Sequence, residues 1–438
     1  MRIMKFGGTS VGSALRMKEV AKLLSTDEPL VVVLSAVSGT TNALVHISES
    51  FLAEKKDLAL QRISDLETFY RNFVSELFDQ EQAKISGNAL IDAHFNFIRS
   101  FSDDVFTPHE EKSILAQGEL ISTALFHIYL LEKNIKAILL PALDFMRTDE
   151  NAEPDMKYIS SELRLQLHKY PDQKLFITQG YVCRNAFGEV DNLKRGGSDY
   201  SASLIGAALQ ADEIQIWTDI DGMHNNDPRI VENTQSVAEL SFDEAAELAY
   251  FGAKILHPQS IWPARSANIP VRLLNTMQPA ALGTLITANA KGSGIKAVAA
   301  KDGITAIKIK SGRMLLAYGF LRSIFEIFEN YKTPIDMITT SEVAVSLTID
   351  NNTFLKDILN DLKKIGSVEV DEQQSIICVV GQFNDENAGD ALQIFQSLKE
   401  IPIRMISYGG SKNNISVLVN TKYKNDALKA LHQGLFQN

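Results

Sequence analysis

The sequence predicts an α/β protein, in which a mainly parallel sheet sandwiched by helices precedes two smaller α+β units. Apolar strands alternate with helical patterns up to about Thr287. The second strand, Leu30–Leu34, is apolar throughout, as expected of a strand that is buried on both faces of a sheet. Beyond residue 294 a strand–helix pattern occurs twice. With 438 residues the chain has room for two or three domains.

The elements of the first domain follow from these apolar patterns. Its strands are expected at Arg2–Phe6, Leu30–Leu34, Lys136–Leu140, Leu175–Thr178, Glu213–Trp217 and Val271–Leu274. Its helices are expected at Ser13–Leu24, Asp57–Phe78, Glu81–Phe101, Glu111–Leu131, Ser201–Leu209 and Phe242–Phe251. Such alternation predicts a parallel sheet with helices on both faces. The polar helical pair between about Leu52 and Ser102 is expected to be an insertion on the flank of the sheet.

The second part of the chain contains an internal repeat. Pro334–Ile338 recurs as Pro402–Ile406, and residues 288–294 before it are small and polar, as in a linker. Each copy is expected to be a strand with a helix before it and a strand and a helix after it. The helices and strands are Phe320–Lys332, Ala344–Ile349 and Phe354–Lys364, then Ala388–Glu400, Ile415–Val419 and Asn425–Gln433. A unit of about seventy residues is marginal by itself, so the two are expected to pack together. We expect domains at 1–290, 300–368 and 369–438, with exchange of strands between the last two left open.

Composition excludes several classes of protein. A formal net charge of −11 argues against a nucleic acid or an anionic membrane surface as a partner, because these require a basic surface. Cys183 and Cys378 are the two cysteines, which excludes a disulfide framework and is typical of the reducing cytoplasm. No apolar run approaches the roughly 20 residues of a membrane span, so none is expected.

The segment Lys5–Ser10, with the sequence Lys-Phe-Gly-Gly-Thr-Ser, ends the first strand and leads into a helix. Glycines at such a turn let backbone N–H groups approach an anion, and the helix N-terminus adds the positive end of its dipole. A lysine beside the turn is a point charge suited to phosphate. The segment is not a Walker A loop, because Ser13-Ala14 stands where Lys-Ser/Thr is required. It is therefore either a polyphosphate-binding loop or an ordinary strand-to-helix turn.

Further polar clusters follow predicted strands, and open parallel sheets bind ligands at the carboxyl ends of their strands. Ser35–Asn42 is rich in hydroxyl groups and by itself favours a helix cap. Arg195–Asp199 opens a helix with two glycines, and its arginine suits a carboxylate or a phosphate. Thr218–Gly222 places two aspartates after a buried strand. These aspartates would serve Mg²⁺ or a ribose, or would form Asx-turns.

Two helical segments carry further candidates. Gly118 lies in mid-helix, where glycine costs about 1 kcal/mol relative to alanine. This cost indicates that a ligand or another backbone comes close, with Glu119 available to bind an amine. Lys254 follows a helix, where the helix dipole alone favours a lysine. The eight histidines show no metal-ligand spacing, and His257, before a proline, favours a structural role.

Together these motifs resemble those of the aspartokinase family, within the amino-acid kinase superfamily. In chain order they are Lys5–Ser10, Gln117–Glu119, Arg195–Asp199, Thr218–Gly222, Asp227–Arg229 and Phe251–Pro258. The resemblance covers essentially the whole chain, and the C-terminal repeat resembles the family's paired ACT domains. It implies an amino-acid kinase fold followed by two ACT domains.

The resemblance implies phosphorylation of the L-aspartate β-carboxylate by ATP and Mg²⁺, the first step towards lysine, threonine and methionine. By analogy the catalytic residues are Lys5, Gly7, Gly8 and Asp199, with Asp199 orienting Lys5. Aspartate would be held by Thr41, Glu119, Arg195 and Ser198, with Glu119 on the ammonium and Arg195 on a carboxylate. The nucleotide would contact Lys5, Gly7, Gly8, Thr9, Ser10, Thr218, Asp219, His224, Arg229 and Lys254. No residue is assigned to a metal site.

The resemblance also implies regulation by a pathway amino acid, lysine or threonine, at the first ACT domain. The effector residues would be Met314, Gly319, Phe320, Leu321, Ile335, Asp336 and Ser341. ACT units usually pair across subunits, so a homodimer or a higher homo-oligomer is expected. We expect no dehydrogenase domain after the second ACT-like unit.

Three positions depart from the family's pattern. Lys194 stands where a glycine is usual, His224 where a tyrosine commonly packs against the nucleotide, and Ala317 where lysine-sensitive members often carry a serine. The packing of the adenine or ribose and the identity of the effector therefore stay open. Two alternative functions also stay open: a kinase of the same fold that uses glutamate or another amino acid, and an amino-acid sensor with a degenerate kinase domain. The intact Lys5, Asp199 and Asp219 count against the sensor.

Overall fold

The computed structural model describes residues 1–24, 27–103, 105–193, 196–252, 256–292, 294–311, 318–383 and 389–437. Several residues from the sequence analysis lie outside these ranges: Lys194, Arg195, Lys254, Met314 and Ala317. The described chain divides into two compact units. The first comprises residues 1–223, 238–242 and 256–290, and the second comprises residues 224–237, 243–252 and 291–437.

Each strand and helix predicted before residue 291 has a counterpart in the structure. The strands are β1 (Arg2–Phe6), β2 (Leu30–Leu34), β3 (Ile138–Leu140), β4 (Leu175–Gln179), β5 (Val182–Arg184), β6 (Val190–Asn192), β7 (Glu213–Thr218), β8 (Glu239–Ser241), β9 (Val271–Asn275) and β10 (Thr284–Thr287). The helices are α1 (Ala14–Lys22), α2 (Thr40–Leu52), α3 (Lys56–Leu77), α4 (Glu81–Ser100), α5 (Pro108–Glu132), α6 (Met156–His168), α7 (Gly197–Leu209), α8 (Phe242–Tyr250) and α9 (Trp262–Ser266).

Eight of the described strands form one sheet, in the order β3-β4-β2-β1-β7-β9-β10-β8. All neighbours in it are parallel except β9 and β10, which pair antiparallel. The predicted mainly parallel sheet is therefore confirmed. Lys5 on β1 is in register with Val33 on β2 and with Ile216 on β7, so these three strands end at the same edge.

Both faces of this sheet are buried. Met4 and Phe6 of β1 belong to a large apolar cluster with residues of helices α1 to α5. Ile3 points to the opposite face, where it is fully buried near Gly206 of α7. An added Cβ at Gly206 would lie 2.5 Å from Ile214 Cδ1, so a side chain here would require Ile214 to move.

Some elements were not predicted. Helix α2 begins at Thr40, within the hydroxyl-rich cluster that the sequence favoured as a helix cap. Helix α6 and the hairpin of β5 and β6 were not anticipated. The inserted helical pair is present as α3 and α4, and its apolar side chains belong to the same cluster as Met4 and Phe6.

One described helix, Pro108–Glu132, is long and apolar enough to cross a membrane by length and composition alone. Within its most apolar window, 67% is buried inside the protein. Ile121, Leu125 and Phe126 of this helix are almost fully buried in the same apolar cluster as β1 and β2. The helix has the environment of a core helix in this structure.

The second unit is built on an antiparallel sheet. Its strands are β11 (Gly294–Lys310), β12 (Ile338–Thr340), β13 (Ala344–Ile349), β14 (Ser367–Gln382), β15 (Ile403–Tyr408) and β16 (Asn414–Asn420), and its further helices are α10 (Phe320–Asn330), α11 (Leu355–Leu362), α12 (Gly389–Ser397) and α13 (Lys424–Phe436). The described strands lie in the order β12-β13-β11-β14-β16-β15.

The two halves of this sheet share their long strands. The C-terminal part of β11 pairs with β13 and with the start of β14, whereas its N-terminal part pairs with the end of β14. A separate apolar cluster packs against each half, one around Ile307 and Leu347 and the other around Val379 and Val417. The boundaries of the two ACT units at 300–368 and 369–438 stay a prediction.

The two copies of the repeat differ in structure. In the second copy β15 covers Ile403 onwards, as expected. In the first copy the expectation of a strand at Pro334–Ile338 is wrong, because β12 begins only at Ile338. The backbone N–H groups of Asp336 and Thr348 donate to Thr348 and Met337, so this stretch still pairs with β13 in an irregular way.

Candidate active site

The loop after β1 is closely packed against two neighbouring strand ends. The backbone N–H of Gly7 donates to the carbonyl of Trp217 at 3.1 Å. An added Cβ at Gly8 would lie 3.0 Å from the carbonyl oxygen of Ala36, closer than an ordinary van der Waals contact. Ser10 is fully buried, and its hydroxyl lies 2.7 Å from that of Thr276. The glycines therefore hold the loop between β2 and β7, at the carboxyl edge of the sheet.

Lys5 and Asp199 form an ion pair at this edge. Lys5 Nζ lies 2.7 Å from Asp199 Oδ1, and both side chains are largely buried. Asp199 lies in the first turn of α7, which follows Gly196 in a left-handed conformation (φ +66°). An added Cβ at Gly7 would lie 3.5 Å from Lys5 Nζ, so the ammonium lies directly against the glycine loop. The structure thus brings together a cation, a carboxylate and a glycine turn that are far apart in the sequence.

A cleft of about 500 Å³ opens beside this pair. It is lined by Gly8, Thr9, Ser35, Ala36, Val37, Ser38, Gly39, Thr41, Asn42, Glu119, Tyr181, Gly197 and Ser198. Of the residues singled out from the sequence for aspartate, Thr41, Glu119 and Ser198 therefore meet at one place. Arg195, the fourth, lies outside the described residues.

Glu119 presents a buried carboxyl group to the cleft. Glu119 is only 4% exposed, and its Oε2 has no hydrogen-bond partner among the described residues. Burial raises the pKa of Glu119 to about 7, although hydrogen bonds from backbone N–H groups, that of Ala36 first, and the charge of Lys5 lower it. A buried acceptor without a partner is costly, so this group is suited to a ligand that brings a cation or a donor.

Gly118 explains how Glu119 reaches this position. An added Cβ at Gly118 would lie 2.9 Å from the Cβ of Ala36 and 3.3 Å from Cγ2 of Thr40. Helix α5 can therefore approach the start of α2 only with a glycine here. The sequence indicated such a close approach, and the partner is the loop between β2 and α2.

Hydrogen bonds link the cleft residues to one another. Ser35 Oγ donates to Ser198 Oγ at 2.9 Å, and Ser122 Oγ donates to the carbonyl of Ser35 at 2.7 Å. An added Cβ at Gly180 would lie 2.3 Å from the Cβ of Ser198, so α7 and the end of β4 are in direct contact. These contacts set the position of the hydroxyl groups in the cleft.

Tyr181 is a cleft residue that sequence reasoning missed. It has a positive φ of 65°, which is unusual for a residue with a side chain. Its backbone N–H donates to Ser201 Oγ at 2.8 Å. Burial, and then the charge of Glu119, raises the pKa of Tyr181 to about 12, so it stays a hydrogen-bond donor at neutral pH. Its place just after β4, at the carboxyl end of a parallel strand, is the signal that could have identified it.

The residues assigned to the nucleotide fall into both units. Thr218 ends β7 in the first unit, and its hydroxyl donates to Asp219 Oδ1 at 3.1 Å. In the second unit His224 Nδ1 lies 2.9 Å from Thr234 Oγ1. Arg229, also in the second unit, binds both carboxylate oxygens of Asp227 at 2.9 and 2.7 Å. Lys254 lies outside the described residues.

The predicted effector residues lie in the second unit. Gly319, in a left-handed conformation (φ +90°), precedes α10, which begins with Phe320 and Leu321. Ser341 donates its backbone N–H to the carbonyl of Ala344 at 2.8 Å, at the turn between β12 and β13. Ile335 and Asp336 lie in the irregular stretch before β12.

Comparison with known proteins agrees with this architecture. The model of the "Amino acid kinase family" matches residues 1–275, and that of the "ACT domain" matches residues 377–435. Lysine-sensitive aspartokinase 3 of Escherichia coli is 33% identical and is aligned over 99% of both chains. Aspartokinase 2, chloroplastic, of Arabidopsis thaliana is 34% identical over 99% of this chain and 84% of its own length.

Solved structures are similar over the whole chain. The crystal structure of E. coli aspartokinase III in complex with aspartate and ADP (R-state) has a TM-score of 0.83 and 32% identity, and the match covers 100% of both chains. The structure of the same E. coli protein in complex with lysine and aspartate (T-state) has a TM-score of 0.82 at 32% identity, covering 100% of this chain and 99% of that one.

Proposed function

This chain belongs to the aspartokinase family, and we propose that its cleft binds L-aspartate and transfers the γ-phosphoryl group of ATP to the β-carboxylate. The product is 4-phospho-L-aspartate. One observation carries the assignment of the site: the Lys5–Asp199 ion pair and the Gly7–Gly8 turn adjoin a cleft that contains the buried carboxyl of Glu119. A phosphate-binding loop and an ammonium-binding carboxylate at the carboxyl edge of the same sheet are the groups that an amino-acid kinase requires.

The reaction needs charge stabilisation more than proton transfer. The attacking β-carboxylate is ionised at pH 7, so no general base is required. Two anions must meet, and charge develops on the phosphoryl oxygens. Lys5 is the cation that neutralises this charge, and Asp199 is the positioning residue that holds its ammonium at 2.7 Å. The backbone N–H groups of the loop from Gly7 to Ser10 supply further donors.

Aspartate is held by polar groups of the cleft. Glu119 pairs with its ammonium, since the free Oε2 is an acceptor without a partner in the described part of the chain. Thr41 and Ser198 line the same cleft and donate hydroxyl hydrogen bonds. Arg195 binds a carboxylate of the substrate, as the resemblance implies.

The nucleotide lies on the β7 side of the loop. Thr218 ends β7, the neighbour of β1 in the sheet, and Asp219 follows it. The resemblance adds His224, Arg229 and Lys254. No group of three or more His, Cys, Asp or Glu side chains that could hold a metal occurs in the described ranges. Mg²⁺ fits as a companion of the nucleotide, held mainly by phosphate oxygens, and supplies neutralisation of their charge.

The proposals for regulation and assembly rest on the resemblance to ACT domains. A pathway amino acid, lysine or threonine, binds at the first ACT unit near Gly319, Asp336 and Ser341, and the chain forms a homodimer or higher homo-oligomer through its ACT units. Both cysteines are free and buried, in keeping with a reducing cytoplasm.

The experiment is an ADP-release assay with MgATP and a panel of acceptors, with hydroxylamine to trap the acyl phosphate. We expect turnover with L-aspartate and none with L-asparagine, which has the same shape but lacks the β-carboxylate. Lys5→Ala should abolish aspartate-dependent ADP release, whereas Lys22→Ala, which removes an exposed helix lysine, should not. Equal turnover with L-glutamate, or near-normal turnover of Lys5→Ala, would contradict the proposal.

A further inference from the structure

The carboxyl group of Asp336 is held inside the second unit by two distant side chains. Its Oδ1 accepts a hydrogen bond from the Tyr250 hydroxyl at 2.5 Å and another from the Lys301 ammonium at 3.0 Å. The side chain of Asp336 is completely buried. Its Oδ2 has no hydrogen-bond partner in the part of the chain that the structure describes. The carboxylate therefore retains one acceptor that a further donor could use.

Lys301 has two carboxylate partners. Its Nζ lies 3.0 Å from Asp336 and 2.7 Å from Asp350 Oδ2, and 4.2 Å from the centre of the Tyr250 ring. Burial lowers the pKa of Lys301, but the hydrogen bonds to Asp350 and Asp336 raise it, and the net effect is an increase. The ammonium of Lys301 is thus charged, and it can leave Asp336 without losing its pairing to Asp350.

Tyr250 connects Asp336 to the segment that leads towards Lys254. Tyr250 ends α8, and Gly252 follows it with a φ of +135°. An added Cβ at Gly252 would lie 2.2 Å from the carbonyl oxygen of Ala300, the neighbour of Lys301. Two adjoining contacts, Tyr250 on Asp336 and Gly252 on Ala300, therefore anchor the end of α8 to β11 and to the stretch before β12.

We propose that the Lys301 ammonium occupies the position on Asp336 to which the side-chain ammonium of an effector binds, and that this competition sets the affinity for the effector. The hydrogen bond from Tyr250 to Asp336 responds to effector binding. The proposal rests on the assignment of Asp336 to the effector under the proposed function. The side-chain ammonium of an effector that binds Asp336 is repelled by the Lys301 ammonium, whose Nζ lies 3.0 Å from Asp336 Oδ1. On effector binding, Lys301 keeps its pairing with Asp350 and leaves Asp336. The ammonium of the effector then takes the place of Lys301 on Asp336.

The first experiment measures binding alone, by calorimetry on the full chain without nucleotide. The probes are L-lysine and L-norleucine, which differ in a terminal ammonium. Lys301→Met keeps an unbranched side chain at this position and removes the competing charge. It should bind L-lysine at least tenfold more tightly than the unmodified chain and leave L-norleucine binding unchanged.

A matched control and an opposite variant sharpen this test. Lys424 is as exposed as Lys301 (19%) and pairs with Asp302 at 2.6 Å. Lys424→Met should leave L-lysine binding unchanged. Asp350→Asn removes the alternative partner of Lys301, so it should weaken L-lysine binding about tenfold and keep the proposal testable if Lys301→Met unfolds. Equal tightening for both probes, the same effect in Lys424→Met, or no change in Asp350→Asn would overturn the proposal.

The second experiment measures coupling. Tyr250→Phe should keep L-lysine binding and raise at least tenfold the L-lysine concentration that half-inhibits ADP release. Tyr331→Phe removes a similar tyrosine–carboxylate hydrogen bond, to Asp361 at 2.9 Å, and should leave this half-inhibiting concentration unchanged. Unchanged inhibition in Tyr250→Phe would overturn the role of Tyr250. A chain without aspartate-dependent ADP release would instead contradict the proposed function, while the calorimetry would still report on Lys301.

Discussion

The hydroxyl oxygen of Tyr70 lies 2.8 Å from that of Thr40, and both residues are almost completely buried. Tyr70 belongs to α3, the first helix of the inserted pair, and Thr40 is the first residue of α2. Thr41, the next residue, lines the cleft. The insertion therefore supports the wall of the candidate site from behind, in addition to covering the sheet.

Tyr70→Phe should destabilise the protein by about 1–3 kcal/mol, because it leaves the buried Thr40 hydroxyl without its partner. The measurement is the free energy of unfolding in urea. We also expect a raised KM for aspartate with little change in kcat, since the first turn of α2 loses a support. Phe69, the exposed neighbour on the same helix, offers the control Phe69→Leu, for which both quantities should stay near those of the unmodified chain.

Asp199→Asn should lower kcat by about 10²-fold, because the Lys5 ammonium loses the carboxylate that orients it. KM for aspartate should change little, since Asp199 does not line the described cleft. Asp212→Asn is the control, because Asp212 pairs with the chain's N-terminus and its side chain is 82% exposed. Steady-state ADP release measures both constants, and a kcat within twofold of the unmodified chain would argue against the positioning role.

KM for aspartate should rise as the pH falls below about 7. Burial raises the pKa of Glu119 to about 7, and only the ionised carboxylate pairs with the ammonium of the substrate. Glu119→Gln should bind aspartate weakly and should lose this pH dependence. The measurement is KM between pH 5.5 and 8.5, with Glu19→Gln, an exposed carboxylate paired with Lys22, as the control. A pH-independent KM in the unmodified chain would exclude a titrating Glu119.

Glu119 should also affect stability in a defined pH window. Its pKa is raised from 4.5 to about 7, so folding favours the neutral form. The resulting penalty is absent below pH 4.5, grows as the pH rises to about 7 and is constant above it, reaching about 3 kcal/mol. Glu119→Gln should therefore stabilise the free protein more at pH 8 than at pH 5. Urea unfolding at both pH values measures this difference, and an equal effect would contradict the shift.

Gly180→Ala should destabilise the protein by about 1–3 kcal/mol and raise KM for aspartate. The new Cβ would meet the Cβ of Ser198 at 2.3 Å and would displace a hydroxyl that lines the cleft. Gly389→Ala is the matched control, because Gly389 has open space around its Cβ position and lies at the start of α12. The measurements are thermal unfolding and KM for aspartate of both variants. Equal effects of Gly180→Ala and Gly389→Ala would show that the close contact between Gly180 and Ser198 does not exclude a side chain.

The sequence predicts local features of the fold well. The predicted bounds of β1, β2 and β13 agree with the structure to the residue, because a short apolar run between turn residues marks a strand. Helix α2 was missed because it begins with hydroxyl residues, which by themselves favour a cap. Tyr181 was missed because it lies outside the polar clusters singled out from the sequence, although its place just after β4, at the carboxyl end of a parallel strand, could have identified it.

The sequence by itself determined the parallel sheet, the glycine loop with Lys5, and the family, since these depend on the order and spacing of nearby residues. Only the tertiary structure decided which side chains meet across long separations: Tyr70 with Thr40, Lys301 and Tyr250 with Asp336, and the halves of β11 with their different neighbours. The physical reason is that apolar periodicity reports whether a residue is buried, whereas its partner is set by how strands and helices pack.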